Sequence, residues 1–174
     1  RTILRSRSRC RRVARRRFAL VNMRPGYRAA SSLSSYFRLR TLGAGDGEQV
    51  GSFELAGSDH AALWTNGPTT LIDLHPTNAT ASSATDVGGG LQVGQVTING
   101  ATHATLWSGS GDSQVDLHGF LAAGFTVSVA TDVQVDVQGV IRVTGYGYDA
   151  ASGRTQPLIW WQGRHQEFSV RRMR

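Results

Sequence analysis

From Leu42 onward the chain is a succession of short runs in which β-branched, aliphatic and aromatic residues alternate with small polar ones, each run closed by Gly, Asn or Ser. No segment of useful length keeps a 3.6-residue period, so the pattern predicts an all-β fold. The middle of the chain is clearest. Ser83-Ala-Thr-Asp-Val87, Leu91-Gln-Val-Gly-Gln-Val-Thr-Ile98, His103-Ala-Thr-Leu-Trp107 and Gln114-Val-Asp-Leu-His118 read as four strands, separated by Gly88-Gly-Gly90, Asn99-Gly100 and Gly109-Ser110. Asn-Gly is a strong hairpin signal because both of its positions accept positive φ. The predicted unit is a four-stranded antiparallel meander.

The same unit recurs. His60-Ala-Ala-Leu-Trp64 precedes His103-Ala-Thr-Leu-Trp107 by 43 residues, and at the same displacement Gln49-Val-Gly51 matches Gln92-Val-Gly94, Gly57 matches Gly100, and Asp73-Leu-His75 matches Asp116-Leu-His118. A looser copy follows, with Val129-Ala-Thr-Asp-Val133, Val143-Thr-Gly145 and Leu158-Ile-Trp160. A period of about 43 residues with four strands per unit is the signature of a β-propeller blade, and a closed ring takes at least about four blades. The chain is therefore expected to hold propeller-blade-like meanders in an incomplete β-propeller: a partial repeat at about 42–78, then repeats at about 79–121 and 122–170.

Counting outward from two-residue turns at Asn66-Gly67, Gly109-Ser110 and Gln162-Gly163 places His60 opposite Asp73, His103 opposite Asp116, and Gln156 opposite Ser169. Where the third copy replaces the histidine, this register replaces its partner too. Such pairs satisfy polar groups between strands and stabilise by about 0.2–1 kcal/mol each. Pro68 has no N–H, which lets the first loop widen, and a slip by one would bring Leu74 in place of Asp73. The chemical alternative joins His60, Asp73 and His75, or His103, Asp116 and His118, in metal or acid–base sites. Against it, like sets on successive units make poor active sites, and the third copy lacks both the histidine and the Asp-Leu-His run. Trp64, Trp107 and Trp160 recur at equivalent places and are expected to fill the gap between stacked sheets rather than form an exposed sugar-binding row. No Ser or Thr lies in a nucleophile elbow, and no Gly-rich phosphate loop precedes a helix. Neither a catalytic residue nor a cofactor is expected.

Charge divides the chain. The first forty residues carry thirteen of the nineteen arginines and no acid, whereas the rest carries all twelve acids; there is no lysine. Residues 1–41, rich in Arg and Ser and without a sustained period, are expected to be a disordered segment. Clustered Arg neutralises phosphates, so nucleic-acid binding is an alternative, although no recognition module accompanies the segment. A transit peptide is another. Ala14-Arg15-Arg16-Arg17-Phe18-Ala19-Leu20 resembles a twin-arginine signal, but Asn22, Arg24, Pro25 and Arg28 stand where an apolar stretch belongs. The longest apolar run near that end, Phe18-Ala-Leu-Val21, is too short for a signal peptide or a membrane span. The chain begins at Arg1, which reads as a fragment or as a frame extended upstream of Met23. A lone Cys10 excludes an internal disulfide.

In combination, His-Ala-x-Leu-Trp, Asp-Leu, Ser-x-Ala-x-Asp-Val and Gln-Val-Gly resemble the HAF-type extracellular repeat over roughly Gly47 to Gly163. Ala62 and Thr105 stand where that family has Phe, and His75 and His118 where it has Gly. The resemblance implies a propeller-like, usually exported bacterial repeat protein without an established activity. The expected function is a non-catalytic extracellular or cell-surface module with a binding or scaffold role, a surface glycan or protein as partner, and membership of a larger propeller-like protein. The alternatives are part of a propeller enzyme, a glycan hydrolase or lyase with its site elsewhere, and nucleic-acid binding through the Arg-rich segment.

Overall fold

The structure, a computed structural model, describes residues 38–65, 70–163 and 167–173. Most of the Arg-rich segment, with Cys10, Met23 and the arginine motif, lies outside them, and so does the Asn66-Gly67 turn. The described chain is all-β. Strands β1 (Leu39–Gly45), β2 (Glu48–Leu55), β3 (Ser58–Thr65) and β4 (Thr70–Asp73) form one antiparallel sheet in chain order. β5 (Ala81–Gly88), β6 (Leu91–Ile98), β7 (Ala101–Trp107) and β8 (Val115–Asp116) form the second, and β9 (Phe125–Val135), β10 (Ile141–Asp149), β11 (Arg154–Gln162) and β12 (Ser169–Arg172) the third. Three blade-like sheets make a propeller-like array that is not closed. The first sheet has four strands where the sequence suggested part of a unit, and β1 starts at Leu39, inside the stretch expected to be disordered.

Hairpins form where the backbone is free to turn left-handed. Asn99 and Gly100 sit at φ 52 and 79, and Ala56 and Gly57 make the same turn at φ 52 and 84. The third connection of the second unit departs from expectation. Gly109-Ser110 is not a two-residue turn: seven residues join β7 to β8 and include a 3-10 turn at Gly111–Ser113. Its β7–β8 register consequently pairs Thr105 with Asp116.

The repeated Gln-Val-Gly motif has a steric origin. In each sheet the first strand bulges opposite this glycine, between Thr41 and Gly43, between Ala84 and Asp86, and in β9 between Ala130 and Asp132. The bulge presses a carbonyl oxygen, of Arg40, Ser83 or Val129, into the space a Cβ would occupy on Gly51, Gly94 or Gly145. Only glycine lets the two backbones approach so closely.

The first strand of each following sheet lies across the sheet before it, β5 over β1–β3 and β9 over β5–β7. Between the first two sheets, Val50, Leu63 and Leu74 meet Val96 and Trp107; between the second and third, Val93, Leu106 and Leu117 meet Val143, Leu158 and Trp160. Trp107 and Trp160 are fully buried, and Trp64 is buried with Phe53 and Ala62 in a separate cluster. Polar ties cross each junction: Gly89 N donates to Asp46 Oδ2 at 2.7 Å, and Val133 N to Asp86 Oδ2 at 2.9 Å. Asp132 stands near Asp86; burial and that second carboxylate raise its pKa.

Candidate functional site

The last strand of each of the first two sheets is short, and this builds the polar cluster. Ala61 presents its carbonyl and amide toward β4, where Leu74 N donates to the carbonyl at 2.9 Å and the chain then turns away. The amide is left without a strand partner. It donates instead to Ser82 Oγ of β5 in the next sheet, at 2.8 Å. His75, on the connection between the sheets, lies 2.8 Å from Ser82 Oγ through Nδ1 and 3.1 Å from the Ala79 carbonyl through Nε2. A carbonyl only accepts, so the ring proton sits on Nε2, and Nδ1 accepts from the Ser82 hydroxyl. Asp73 Oδ1 takes the His75 backbone N–H at 2.8 Å, and Asp73 Oδ2 takes His60 Nδ1 at 2.9 Å. The rings of His60 and His75 stack at 3.8 Å with 14° between their planes.

The second unit repeats the serine, aspartate and ring-stacking contacts, while the carbonyl beside its inner ring is that of Phe125. Ala104 N donates to Ser128 Oγ at 2.9 Å, His118 Nδ1 lies 2.8 Å from the same oxygen, Asp116 binds His118 N and His103 Nδ1 at 2.9 Å each, and His103 stacks on His118 at 4.2 Å. Burial lowers the pKa of both His75 and His118. The neighbouring imidazole, His60 or His103, adds to the effect, and the carbonyl and carboxylate contacts oppose it. Each inner ring is thus held neutral, as its acceptor role requires.

The histidines and aspartates singled out from the sequence do meet, though two residues off the expected register: Asp73 pairs with Ala62, and Asp116 with Thr105, so each histidine reaches its carboxylate diagonally. Ser82 and Ser128 were not anticipated. Both fall in the Ser-x-Ala-x-Asp-Val run noted in the sequence, four residues before its aspartate, and that fixed offset was the available signal. Ser82 is 3% and Ser128 0% exposed, so neither hydroxyl reaches a substrate. Among the described residues no three or more His, Cys, Asp or Glu side chains are grouped to share a metal ion.

The third unit differs. Gln156 does not face Ser169, which pairs with Trp161, because six residues join β11 to β12 in place of the expected two-residue turn. The residue two before each interface tryptophan aligns the units: Thr105 pairs with Asp116 and Leu158 with Arg172, so Arg172 stands where Asp116 does. The carboxylate now comes from the end of β10. Asp149 Oδ2 accepts from Gln156 Nε2 at 3.1 Å and from the Ser152 hydroxyl at 3.0 Å, with Arg172 NH1 at 3.6 Å. Burial pulls the Asp149 pKa upward; the hydrogen bonds from Ser152 and Ala151, together with Arg172, outweigh it and hold the carboxyl below its ordinary value.

Compared with models of known protein families, with curated proteins and with solved structures, the chain matches none. No helix among the described residues is long and apolar enough to cross a membrane.

A second feature lies on the face of the third sheet turned away from the second. Strand alternation puts Val143, Leu158 and Trp160 inward and Arg142, Tyr146, Tyr148, Ile159 and Trp161 outward. Arg142, Ile159, Trp161 and Arg171 line a cleft of about 310 Å³ there. Tyr146 and Tyr148, at 42% and 39% exposure, extend the aromatic surface along β10.

Proposed function

We propose that the chain is a non-catalytic β-repeat module with a binding or scaffold role, acting at or outside the cell surface. The observation that carries this reading is the duplicated His–Asp–His–Ser cluster. It holds the residue types of hydrolytic chemistry, yet its hydroxyls are buried and hydrogen-bonded, and the inner imidazoles are committed to Ser and carbonyl partners. A nucleophile needs an open approach and a base poised to take its proton. Here the serine instead closes a strand edge. The placement outside the cell rests on the likeness of the repeat motifs to HAF-type repeats.

The test pairs a binding screen with a turnover screen on the full chain: immobilised glycans for retention, and the same polysaccharides in solution for release of reducing ends. Retention without release is expected. Release that disappears in Ser128→Ala or His118→Gln would make the cluster an active site and end the reading.

A further inference from the structure

The three units of one chain serve as controls for one another, and the outward face of the third is where they diverge. The buried cross-strand pairs Val50–Leu63 and Val93–Leu106, which receive the next sheet, become Thr144–Ile159. Ile72 and Val115, opposite those leucines, become Arg171 opposite Ile159. Ser52 and Gln95, which face the alanines of the His-Ala motif, become Tyr146 facing Pro157. Leucine becomes isoleucine and stays aliphatic, while the other changes bring in a hydroxyl, an aromatic ring or a guanidinium. A sheet stacked on this face would meet Arg171 where the first two sheets present Ile72 and Val115, and Thr144 where they present valine.

We propose that this face binds an anionic saccharide chain, a uronate polymer, with one carboxylate in the cleft between Arg142 and Arg171 and neighbouring sugar rings along Tyr146 and Tyr148. The assignment rests on the reading of the chain as a binding module. A guanidinium matches a carboxylate with two parallel N–H donors, and an aromatic face takes the C–H face of a sugar ring. Asp136 Oδ2 holds Arg142 NH1 at 2.9 Å, which orients that guanidinium, and Arg171 Cζ lies 5.6 Å from the centroid of Trp161. Among the described residues after Arg40, all four arginines, Arg142, Arg154, Arg171 and Arg172, lie in the third unit beside four acids, whereas the first two units hold eight acids and no arginine after that point. The outward positions of β10, β11 and β12 carry no carboxylate, and β9 places Asp132 on this face opposite Thr144, three strands away from Arg171. The cleft matches a ligand of one or two rings, whereas a stable protein interface buries about 800 Å² on each partner.

The experiment titrates the full chain with oligomers of polygalacturonate, alginate and hyaluronate, following tryptophan fluorescence. Trp64, Trp107 and Trp160 are buried, so Trp161 reports the cleft. Expected are saturable quenching by at least one uronate polymer and about tenfold weaker binding both for its methyl ester and in Arg171→Gln. Tyr146→Ala is expected to lose about fivefold. Both side chains are exposed, so unchanged melting temperatures exclude unfolding. The Arg-rich N-terminal segment attracts polyanions equally in every variant, so the acid-to-ester difference is read as the part that shrinks in Arg171→Gln. Equal affinity for acid and ester, or variants that bind like the parent, would overturn the assignment. Neutral glycans held equally by parent and variants would remove this face while leaving the binding-module reading intact. Failure of the parent to retain any glycan would remove both. Tighter binding of oligodeoxythymidylate, lost in Tyr146→Ala, would make the face a nucleic-acid surface and overturn the saccharide.

Discussion

The second and third sheets carry opposite arrangements of donor and acceptor at aligned positions. In the second, the edge strand supplies the anion, Asp116, and the interior strand the imidazole of His103, 2.9 Å apart. In the third, the edge strand supplies the cation, Arg172, while the anion Asp149 moves to the end of the neighbouring interior strand, where Gln156 joins it. The carboxylate and its partner have exchanged strands. In the second unit the pair is tied through His118 to Ser128 of the next sheet, whereas the contacts of Asp149 all lie within its own unit, so the aligned position takes a polar pair without histidine. That is the behaviour of a structural tie, since a catalytic group depends on its particular pKa and reach.

The largest expected effect tests what all three units share. Gly94→Val or Gly145→Val drives a Cβ into the carbonyl of Ser83 or Val129, and each is expected to cost about 3 kcal/mol or more in urea denaturation. Equal losses in the two sheets would mark the bulge as common framework. Next comes the contrast between units. Ser128→Ala strands the buried Ala104 amide and His118 Nδ1, for an expected loss of about 2–3 kcal/mol, whereas Ser152→Ala beside Asp149 touches a solvent-exposed residue and is expected to cost under about 1 kcal/mol.

Acid separates the two arrangements by pH window. Because burial lowers the folded pKa of His75 and His118, the unfolded chain binds more protons. Their contribution is full above the unfolded value near 6.5 and is lost as pH falls through it toward the lowered folded value. Asp149, held below its ordinary value, keeps its contribution above the unfolded 3.8 and loses it only as pH falls through its lower folded pKa. Denaturation midpoints measured from pH 8 to pH 3 are therefore expected to fall in two steps. The upper step is expected to vanish in the double variant His75→Gln, His118→Gln. The smallest effect concerns the tryptophans. Trp160 Nε1 donates to the Leu117 carbonyl at 3.0 Å, whereas the buried Trp107 Nε1 has no partner among the described residues. Trp160→Phe is expected to cost about 1 kcal/mol more than Trp107→Phe by the same denaturation measurement.

Much of the fold was legible because its causes are local. The Asn99-Gly100 turn, the alternation in β6 and the repeat at 43 residues follow from backbone freedom and side-chain period, and the all-β class follows from them. What escaped depended on loop length and on neighbours distant in sequence. The loop after Trp107 holds a 3-10 turn that no two-residue rule contains, so Asp116 lies two positions away from its expected register. The loop after Gln162 moved Ser169 from Gln156 to Trp161. Ser82 and Ser128 escaped because the amides they satisfy belong to the sheet before their own. The outward face of the third sheet escaped for another reason: Arg142, Tyr146 and Arg171 come together only when three strands are laid side by side.

The most direct test of the structural role is a double-mutant cycle on His118 and Ser128, measured by urea denaturation at pH 7.5 alongside glycan retention and sugar release. The account predicts a coupling of about 1 kcal/mol or more in stability, with retention unchanged and no release in any of the four proteins. Additive stability effects accompanied by a lost turnover would contradict it.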